Sequence, residues 1–158
     1  MKHIVLYGGS FNPPCVHHID LVYAITENHF FHKVVVIPCG RRADKSYVDN
    51  DHRISMTQYA FDGIPGVTID LRNLKEDIFT SNYHLESLYQ EHNVVLWHAI
   101  GSELLVRNNE GFNPIQNRWT EGRFIWDNFS FLIIPRTDYL IMSELLPRRH
   151  FVVQQEFA

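Results

Sequence analysis

The feature that most constrains the fold of this chain is a short apolar run at residues 2–7, which ends at two adjacent glycines. Such a run is typical of a buried parallel strand. Gly8 and Gly9 allow the backbone to approach a ligand closely, and residues 17–28 then carry apolar side chains at helical spacing. The loop therefore lies beside the free N–H groups and the positive dipole end of a helix, which predicts an anion site.

The rest of the chain continues this alternation of strands and helices. Lys33–Pro38 is the clearest strand, because it is rich in β-branched residues and stops at a proline. Asn50–Phe61 is predicted to be a helix with Asn50 or Asp51 as its N-cap. Its apolar side is expected to consist of Ile54, Met56, Tyr59 and Ala60. Further strands are predicted at residues 67–71, 93–100, 129–135 and 150–154, and further helices at 82–91, from 102, and at 117–128.

Short connections between these elements predict an α/β fold with a Rossmann-like, mostly parallel sheet of five to six strands flanked by helices. We expect residues 1–158 to form a single domain. In the helix predicted at 117–128, the side chains of Trp119, Phe124 and Ile125 are expected to be the anchors to the core. Ligands of such sheets bind beyond the carboxyl ends of the strands, so the residues that follow each strand are the candidates for function.

Composition excludes several other classes of protein. The 158 residues are 45% apolar and 20% charged, which is a normal globular balance, and the net charge of −4 argues against binding of a long nucleic acid. No apolar run approaches the roughly 20 residues that span a bilayer, and the first residues do not resemble a signal peptide. The two cysteines, Cys15 and Cys39, and the scattered histidines show no disulfide or metal-ligand spacing. We therefore expect a reduced, cytoplasmic protein without a metal site of its own and without a membrane partner.

Residues 8–18 as a whole are far more specific than a pair of glycines. They resemble the signature Gly-Gly-(Ser/Thr)-Phe-Asp-Pro-x-His-x-Gly-His of the nucleotidyltransferase superfamily that makes dinucleotides by adenylyl transfer. The matching residues are Gly8, Gly9, Ser10, Phe11, Pro13 and His18. Asn12 replaces the aspartate, Cys15 the first histidine and His17 the last glycine of the signature. Because a thiol is only a weak hydrogen-bond donor, we expect weaker phosphate stabilisation at position 15.

The order of motifs further along the chain is similar to that of the bacterial nicotinate-nucleotide adenylyltransferase family. Lys45 follows the second strand, where that family has a His-Lys loop, and residues 53–56 stand for its Arg-x-x-Met. After the fourth strand, Gly101 and Glu103 occupy the places of the family's Gly-x-Asp. A carboxylate there accepts hydrogen bonds from ribose hydroxyls.

The acceptor side of that family is matched less closely. Residues 82–88 are similar to its Ser-Tyr-Thr-x-Asp-Thr-Leu segment; Tyr83 is retained and His84 replaces the threonine. Trp119 and Arg136 stand in the places of a later tryptophan and of the arginine in Arg-x-Gly-Tyr. Trp119 is expected either to stack on a pyridine ring or to belong to the core.

The resemblance implies adenylyl transfer from ATP to nicotinate mononucleotide, with Mg²⁺ bound to ATP. It implies that the catalytic residues are His18 and Lys45. The implied ATP-binding residues are Gly8, Gly9, Ser10, Phe11, Cys15, His18, Gly101 and Glu103. The implied acceptor-binding residues are Lys45, Tyr83, His84, Trp119 and Arg136.

Two alternatives to this assignment remain open at the level of sequence. One is a related adenylyltransferase that uses nicotinamide mononucleotide or phosphopantetheine as the acceptor. The other is a degenerate member that binds nucleotides with little catalysis, which Cys15, Asn12 and the absence of the family's closing motif from residues 1–158 favour. The family's closing Ile-Ser-x-Thr-x-Ile-Arg motif, which holds the ATP phosphates, is expected to follow Ala158 in a longer chain.

Overall fold

The structure, a computed structural model, describes residues 1–40 and 49–155 and divides into two compact units. The first unit comprises Lys2–Thr80, and the second comprises Met1 and the chain from Ser81 onward. The strands of the first unit are β1 (Lys2–Gly9), β2 (Lys33–Pro38) and β3 (Val67–Ile69). Its helices are α1 (Val16–Thr26), α2 (Asn50–Phe61) and α3 (Arg72–Glu76).

The strands of the first unit are parallel and follow the order β3-β2-β1. The register pairs Gly8 with Ile37 and Gly9 with Pro38, so β1 and β2 end at the same level. Strand β2 is buried from its second residue to its last, as its continuous β-branched run predicts. The loops that leave β1 and β2 therefore start side by side at the carboxyl edge of this unit.

The second unit repeats this arrangement with its own strands and core. Its strands are β4 (Val94–Gly101), β5 (Ser130–Ile134) and β6 (Arg149–Val152). Its helices are α4 (Asn82–Tyr89), α5 (Pro114–Arg118) and α6 (Gly122–Asn128), with short 3₁₀ helices at Ser102–Leu105 and Ser143–Leu145. The strands are parallel in the order β4-β5-β6. The core is formed by Ile100, Leu105, Ile115, Ile125, Trp126, Phe129, Phe131 and Ile133.

These six parallel strands with flanking helices confirm the predicted α/β, Rossmann-like class. The bounds predicted for β2 and α2 agree with the structure. Helix α3 was not predicted, since its five residues are too few to show an apolar periodicity. Among the described residues, no helix has the length and apolar character needed to cross a bilayer.

The N-cap and the buried side of α2 differ from the prediction. Asp49 is the N-cap, and its side chain accepts a hydrogen bond from the backbone N–H of Asp51 at 2.9 Å. The buried residues of the helix are Arg53, Thr57 and Phe61, whereas Tyr59 is 93% exposed. The prediction was wrong because it assigned the core side by apolarity, and two of the three buried side chains are polar.

The helix predicted at residues 117–128 is divided into α5 and α6. Asn113 caps α5 in a reciprocal arrangement with Gln116, so the first of the two helices begins at Pro114, before the predicted start at residue 117. It ends at Arg118. Glu121 then has a left-handed backbone with φ of 52°, and α6 begins at Gly122. Of the predicted anchors, Ile125 is fully buried, Trp119 packs partly buried on the core, and Phe124 is 52% exposed.

Replacing Gly122 with alanine is expected to lower the free energy of unfolding by about 1–2 kcal/mol, since an added Cβ collides with the backbone oxygen of Ile115. Urea denaturation measures the difference. The control is Asp127→Ala at an exposed position of the same helix, for which a change below about 0.5 kcal/mol is expected. Equal losses in the two variants would contradict a close contact between α5 and α6.

Candidate functional site

The glycine pair lies at the end of strand β1, and the loop itself begins at Ser10. Gly9 accepts a hydrogen bond from the backbone N–H of Cys39 at 2.9 Å, which joins the ends of β1 and β2. A side chain at Gly9 has little room, because an added Cβ would lie 3.3 Å from the ring of Phe11. The two glycines thus provide a bare strand end rather than a flexible turn.

The ring of Phe11 anchors the loop in the core of the first unit. Its backbone is left-handed, with φ of 43°, and its side chain is only 3% exposed. The ring packs edge-on against Tyr7, His18 and Phe61, with centroid distances of 5.2, 5.0 and 5.6 Å. The buried ring of Phe11 therefore holds the loop in place, and its predicted ATP-binding role stays a prediction.

Cys15 and His18 form the beginning of α1. Cys15 is the N-cap, with an extended backbone, and its N–H donates to Nδ1 of His18 at 2.8 Å. The exposed thiol of Cys15 points back to the carbonyl oxygen of Pro13, with the sulfur 3.4 Å from it. Since Nδ1 of His18 accepts this bond, the proton of the neutral imidazole lies on Nε2. Both residues therefore lie at the positive end of the helix dipole, and Nε2–H of His18 is a donor of the type that a phosphate needs.

A buried arginine, Arg53, connects the loops that follow β1 and β2. Its guanidinium donates to the carbonyl oxygen of Ser10 at 2.5 Å and to that of Cys39 at 2.6 Å. It also donates to Oδ1 of Asn50 at 3.2 Å, and its side chain is fully buried. These bonds hold the carbonyl groups of Ser10 and Cys39 on the arginine and so tie the loops after β1 and β2 to α2.

Arg53 is a functional candidate that the sequence reasoning missed. The resemblance of residues 53–56 to Arg-x-x-Met predicts no role for the arginine itself. The usable signal was the spacing of Arg53 with Thr57 and Phe61, a stripe on one face of α2. Lys45, predicted to be catalytic and to bind the acceptor, lies outside the described residues, and its role remains a prediction.

Gly101, Glu103 and Arg136 come together at the carboxyl ends of β4 and β5. The carboxylate of Glu103 folds back over Gly101, where it would overlap an added Cβ. Its Oε2 is 3.7 Å from Nε of Arg136, and the backbone N–H of Arg136 donates to Oγ of Ser102 at 2.8 Å. Because both charged side chains are about one third exposed, their ion pair is weak and a ligand can replace it.

The remaining predicted residues of the second unit lie on α4 and after α5. Tyr83 and Trp119 are both partly buried against the core of this unit. The Tyr83 ring is 5.5 Å from the ring of His84 and 6.2 Å from that of Phe124. His84 is exposed, and its Nδ1 is 2.8 Å from Oγ of Ser81, the N-cap of α4. Trp119 thus belongs to the edge of the core and still presents part of its ring to solvent.

The described residues do not bring together three histidine, cysteine or acidic side chains in a group that could hold a metal ion. Mg²⁺ prefers oxygen ligands and commonly binds through substrate phosphates together with one or two carboxylates. The side chains described above therefore do not form a protein cage for Mg²⁺.

The chain is similar to proteins of known family along nearly its whole length. The cytidylyltransferase-like family matches residues 6–155. A probable nicotinate-nucleotide adenylyltransferase of Acholeplasma laidlawii is 23% identical over 148 residues, which cover 92% of this chain and 73% of that protein. A protein of the same name from Legionella pneumophila strain Corby is 33% identical over 95 residues, covering 58% of this chain and 45% of that protein.

Solved structures show the same fold. Plasmodium falciparum nicotinic acid mononucleotide adenylyltransferase complexed with NaAD superposes with a TM-score of 0.78 and 24% identity, over 97% of this chain and 75% of that one. The same enzyme complexed with APC gives a TM-score of 0.69 at 22% identity, over 97% and 74% of the two chains. The resemblance found in the sequence is thus confirmed, and this chain belongs to the cytidylyltransferase-like family of nucleotidyltransferase enzymes.

Proposed function

We propose that this chain transfers the adenylyl group of ATP to nicotinate mononucleotide and releases pyrophosphate, a step of NAD biosynthesis. The observation that carries the proposal is the start of α1, where His18 accepts the N-cap N–H through Nδ1 and keeps its proton on Nε2. This donor, the helix dipole and the Arg53-tethered loop together form an anion site. The names of the similar proteins from Acholeplasma laidlawii and Legionella pneumophila support the choice of reaction.

The proposed chemistry needs no protein nucleophile. An oxygen of the acceptor phosphate, already an anion at neutral pH, bonds to the α-phosphorus of ATP. The bond from that phosphorus to the oxygen bridging to the β-phosphorus breaks, and pyrophosphate leaves with the electron pair. The protein contributes alignment and stabilisation of the developing charge, in which His18 acts by donating from Nε2.

Mg²⁺ is proposed to enter with ATP and to neutralise part of the triphosphate charge. Lys45 is proposed to bind the phosphate of the acceptor. In the second unit, Glu103 is proposed to accept hydrogen bonds from ribose hydroxyls after its pair with Arg136 opens. Tyr83 and the exposed part of Trp119 provide aromatic surface for the pyridine ring.

The identity of the acceptor is tested by measuring pyrophosphate release with ATP and each of three acceptors: nicotinate mononucleotide, nicotinamide mononucleotide and phosphopantetheine. The expected result is a kcat/KM for the acid mononucleotide at least about tenfold above those of the other two, because the ring carboxylate adds a charge that a specific site discriminates. A preference for the amide or for phosphopantetheine would replace this assignment with the corresponding adenylyltransferase.

A second candidate function is nucleotide binding with little catalysis, and the thiol at position 15 is the observation that favours it. Isothermal calorimetry with a non-hydrolysable ATP analogue separates the two candidates. Binding of the analogue without pyrophosphate release from ATP in the presence of any of the three acceptors would support the binding-only function.

Replacing Cys15 with histidine is expected to leave kcat/KM unchanged or to raise it by up to about tenfold, since an imidazole is a stronger donor to phosphate than a thiol. The cap itself survives, because the bond from position 15 to His18 uses the backbone N–H. Steady-state assay of pyrophosphate release measures the effect. Cys15→Ala, which has no side-chain donor, should be no faster than the parent. A more than tenfold loss in Cys15→His would show that the thiol itself is required.

A further inference from the structure

The second unit contains a buried polar network that none of the proposed catalytic steps uses. His98, in β4, is fully buried. Its Nδ1 is 3.0 Å from Nδ2 of Asn82 and its Nε2 is 3.0 Å from Oε1 of Glu86. The imidazole also stacks on the ring of Phe129, with centroids 4.9 Å apart and planes 18° apart. Both ring nitrogens are thus satisfied inside an otherwise apolar environment.

The direction of the two hydrogen bonds follows from the donor groups. An amide nitrogen only donates, so Nδ1 of His98 accepts from Asn82 and the ring proton lies on Nε2, which donates to the carboxylate of Glu86. Asn82 and Glu86 are four residues apart on α4 and therefore on the same face of that helix. One side chain of β4 thus holds α4 at two points, one turn apart, which fixes its rotation as well as its distance from the strand.

These contacts lie on the same helix as the residues that are predicted to bind the acceptor. Tyr83 and His84, the predicted acceptor-binding residues of α4, lie between Asn82 and Glu86 in the chain. A small rotation of α4 would move the side chains of both residues. A phenylalanine at position 98 would fill a similar volume and stack on Phe129, so packing alone does not require an imidazole there.

We propose that Asn82, His98 and Glu86 form a positioning network that sets the orientation of α4 for acceptor recognition. The identity of the acceptor in this inference rests on the proposed function; the anchoring of α4 does not. The network acts through Tyr83 and His84, so its loss should affect the acceptor more than ATP.

The first test replaces His98 with phenylalanine, which retains the ring and its stacking and removes both hydrogen bonds. The expected result is a rise of about tenfold in KM for nicotinate mononucleotide, with KM for ATP changed by less than about threefold. Glu86→Leu removes only the hydrogen bond from Nε2 of His98. Because the side chain of Glu86 is 22% exposed, this variant is the alternative test if His98→Phe folds poorly. Glu86→Gln retains an oxygen that accepts from Nε2–H and should restore the acceptor KM to within about threefold of the parent.

The control is Leu132→Ala in β5, a fully buried apolar position outside the network. This substitution destabilises the second unit without breaking a hydrogen bond. It should therefore not raise KM for nicotinate mononucleotide more than KM for ATP. Amide hydrogen exchange provides a second readout, in which α4 should exchange faster in His98→Phe and Glu86→Leu than in the control, after correction for global stability.

The two readouts distinguish failure of this inference from failure of the proposed function. If the parent protein turns over none of the three acceptors, the proposed function fails, and hydrogen exchange of α4 still tests the anchoring. Equal shifts of the two KM values, failure of Glu86→Gln to restore the acceptor KM, or exchange of α4 no faster than in Leu132→Ala would each overturn the network as a positioning device.

Discussion

Replacing His18 with alanine is expected to lower kcat/KM for pyrophosphate release by about 100- to 1,000-fold, the range typical of losing one donor to a developing anion. In the proposed mechanism the imidazole donates to the phosphate from Nε2–H, because Nδ1 accepts from the N–H of Cys15. Alanine removes both the donor and this contact at the start of α1. Steady-state assay with ATP and nicotinate mononucleotide measures the loss.

His18→Gln separates the two roles of this residue. A glutamine at the third position of a helix accepts a hydrogen bond from the N-cap N–H, as in a capping box, so the start of α1 should be preserved. We expect the melting temperature of His18→Gln to be close to that of the parent and above that of His18→Ala. Its activity should remain well below that of the parent. Parent-like activity in His18→Gln would mean either that the amide N–H₂ replaces the Nε2–H donor or that His18 acts through the cap alone; His18→Glu, which accepts at the cap and has no donor, separates these two outcomes.

Replacing Arg53 with methionine is expected to lower the free energy of unfolding by about 2–4 kcal/mol. Methionine has a similar length but no donor, so the carbonyl groups of Ser10 and Cys39 lose the guanidinium that holds them. Urea denaturation measures this loss. In buffer without denaturant, the affinity of Arg53→Met for an ATP analogue should also fall, because the loop that begins at Ser10 is no longer held in one conformation.

The matched control is Arg72→Met in α3, the same chemical change at a side chain that is 51% exposed and pairs with Asp70 at 2.9 Å. Since exposed ion pairs contribute little, a loss below about 1 kcal/mol is expected there. Arg53→Lys should resemble Arg53→Met, because an ammonium group does not reproduce the planar fork, in which Nη2 donates to both carbonyls and Nη1 donates to Asn50. Equal losses at positions 53 and 72 would contradict the role assigned to Arg53.

The parts of the fold that sequence reasoning predicted well are those set by local chemistry. Strand β2 is β-branched from Val34 to Ile37 and stops at Pro38, so its bounds could be derived from its own residues. The division between α5 and α6 could not be derived in this way. It depends on the close approach of Gly122 to the backbone of Ile115, a tertiary contact without a periodic signal.

The candidate site likewise contains parts that the local sequence predicts and parts that depend on tertiary contacts. The loop, its glycines and His18 follow from a contiguous string of residues whose chemistry is local. The burial of Arg53 and of His98 could not be predicted, because each is made tolerable only by oxygen or nitrogen atoms that distant segments supply. A helix side chosen by apolarity alone, as in α2, omits a charged residue whose hydrogen bonds are satisfied by tertiary structure.

The burial of Phe11 has a consequence for how this protein can adapt. Most ligand-binding loops vary without cost to the rest of a fold, because they lie on its surface. Here the loop ring is packed against Phe61, so a change in α2 alters the shape of the loop that is proposed to bind the nucleotide. Under the proposed function, the stability of the first unit and its affinity for the nucleotide depend on the same contact, so a substitution at Phe61 is expected to change both.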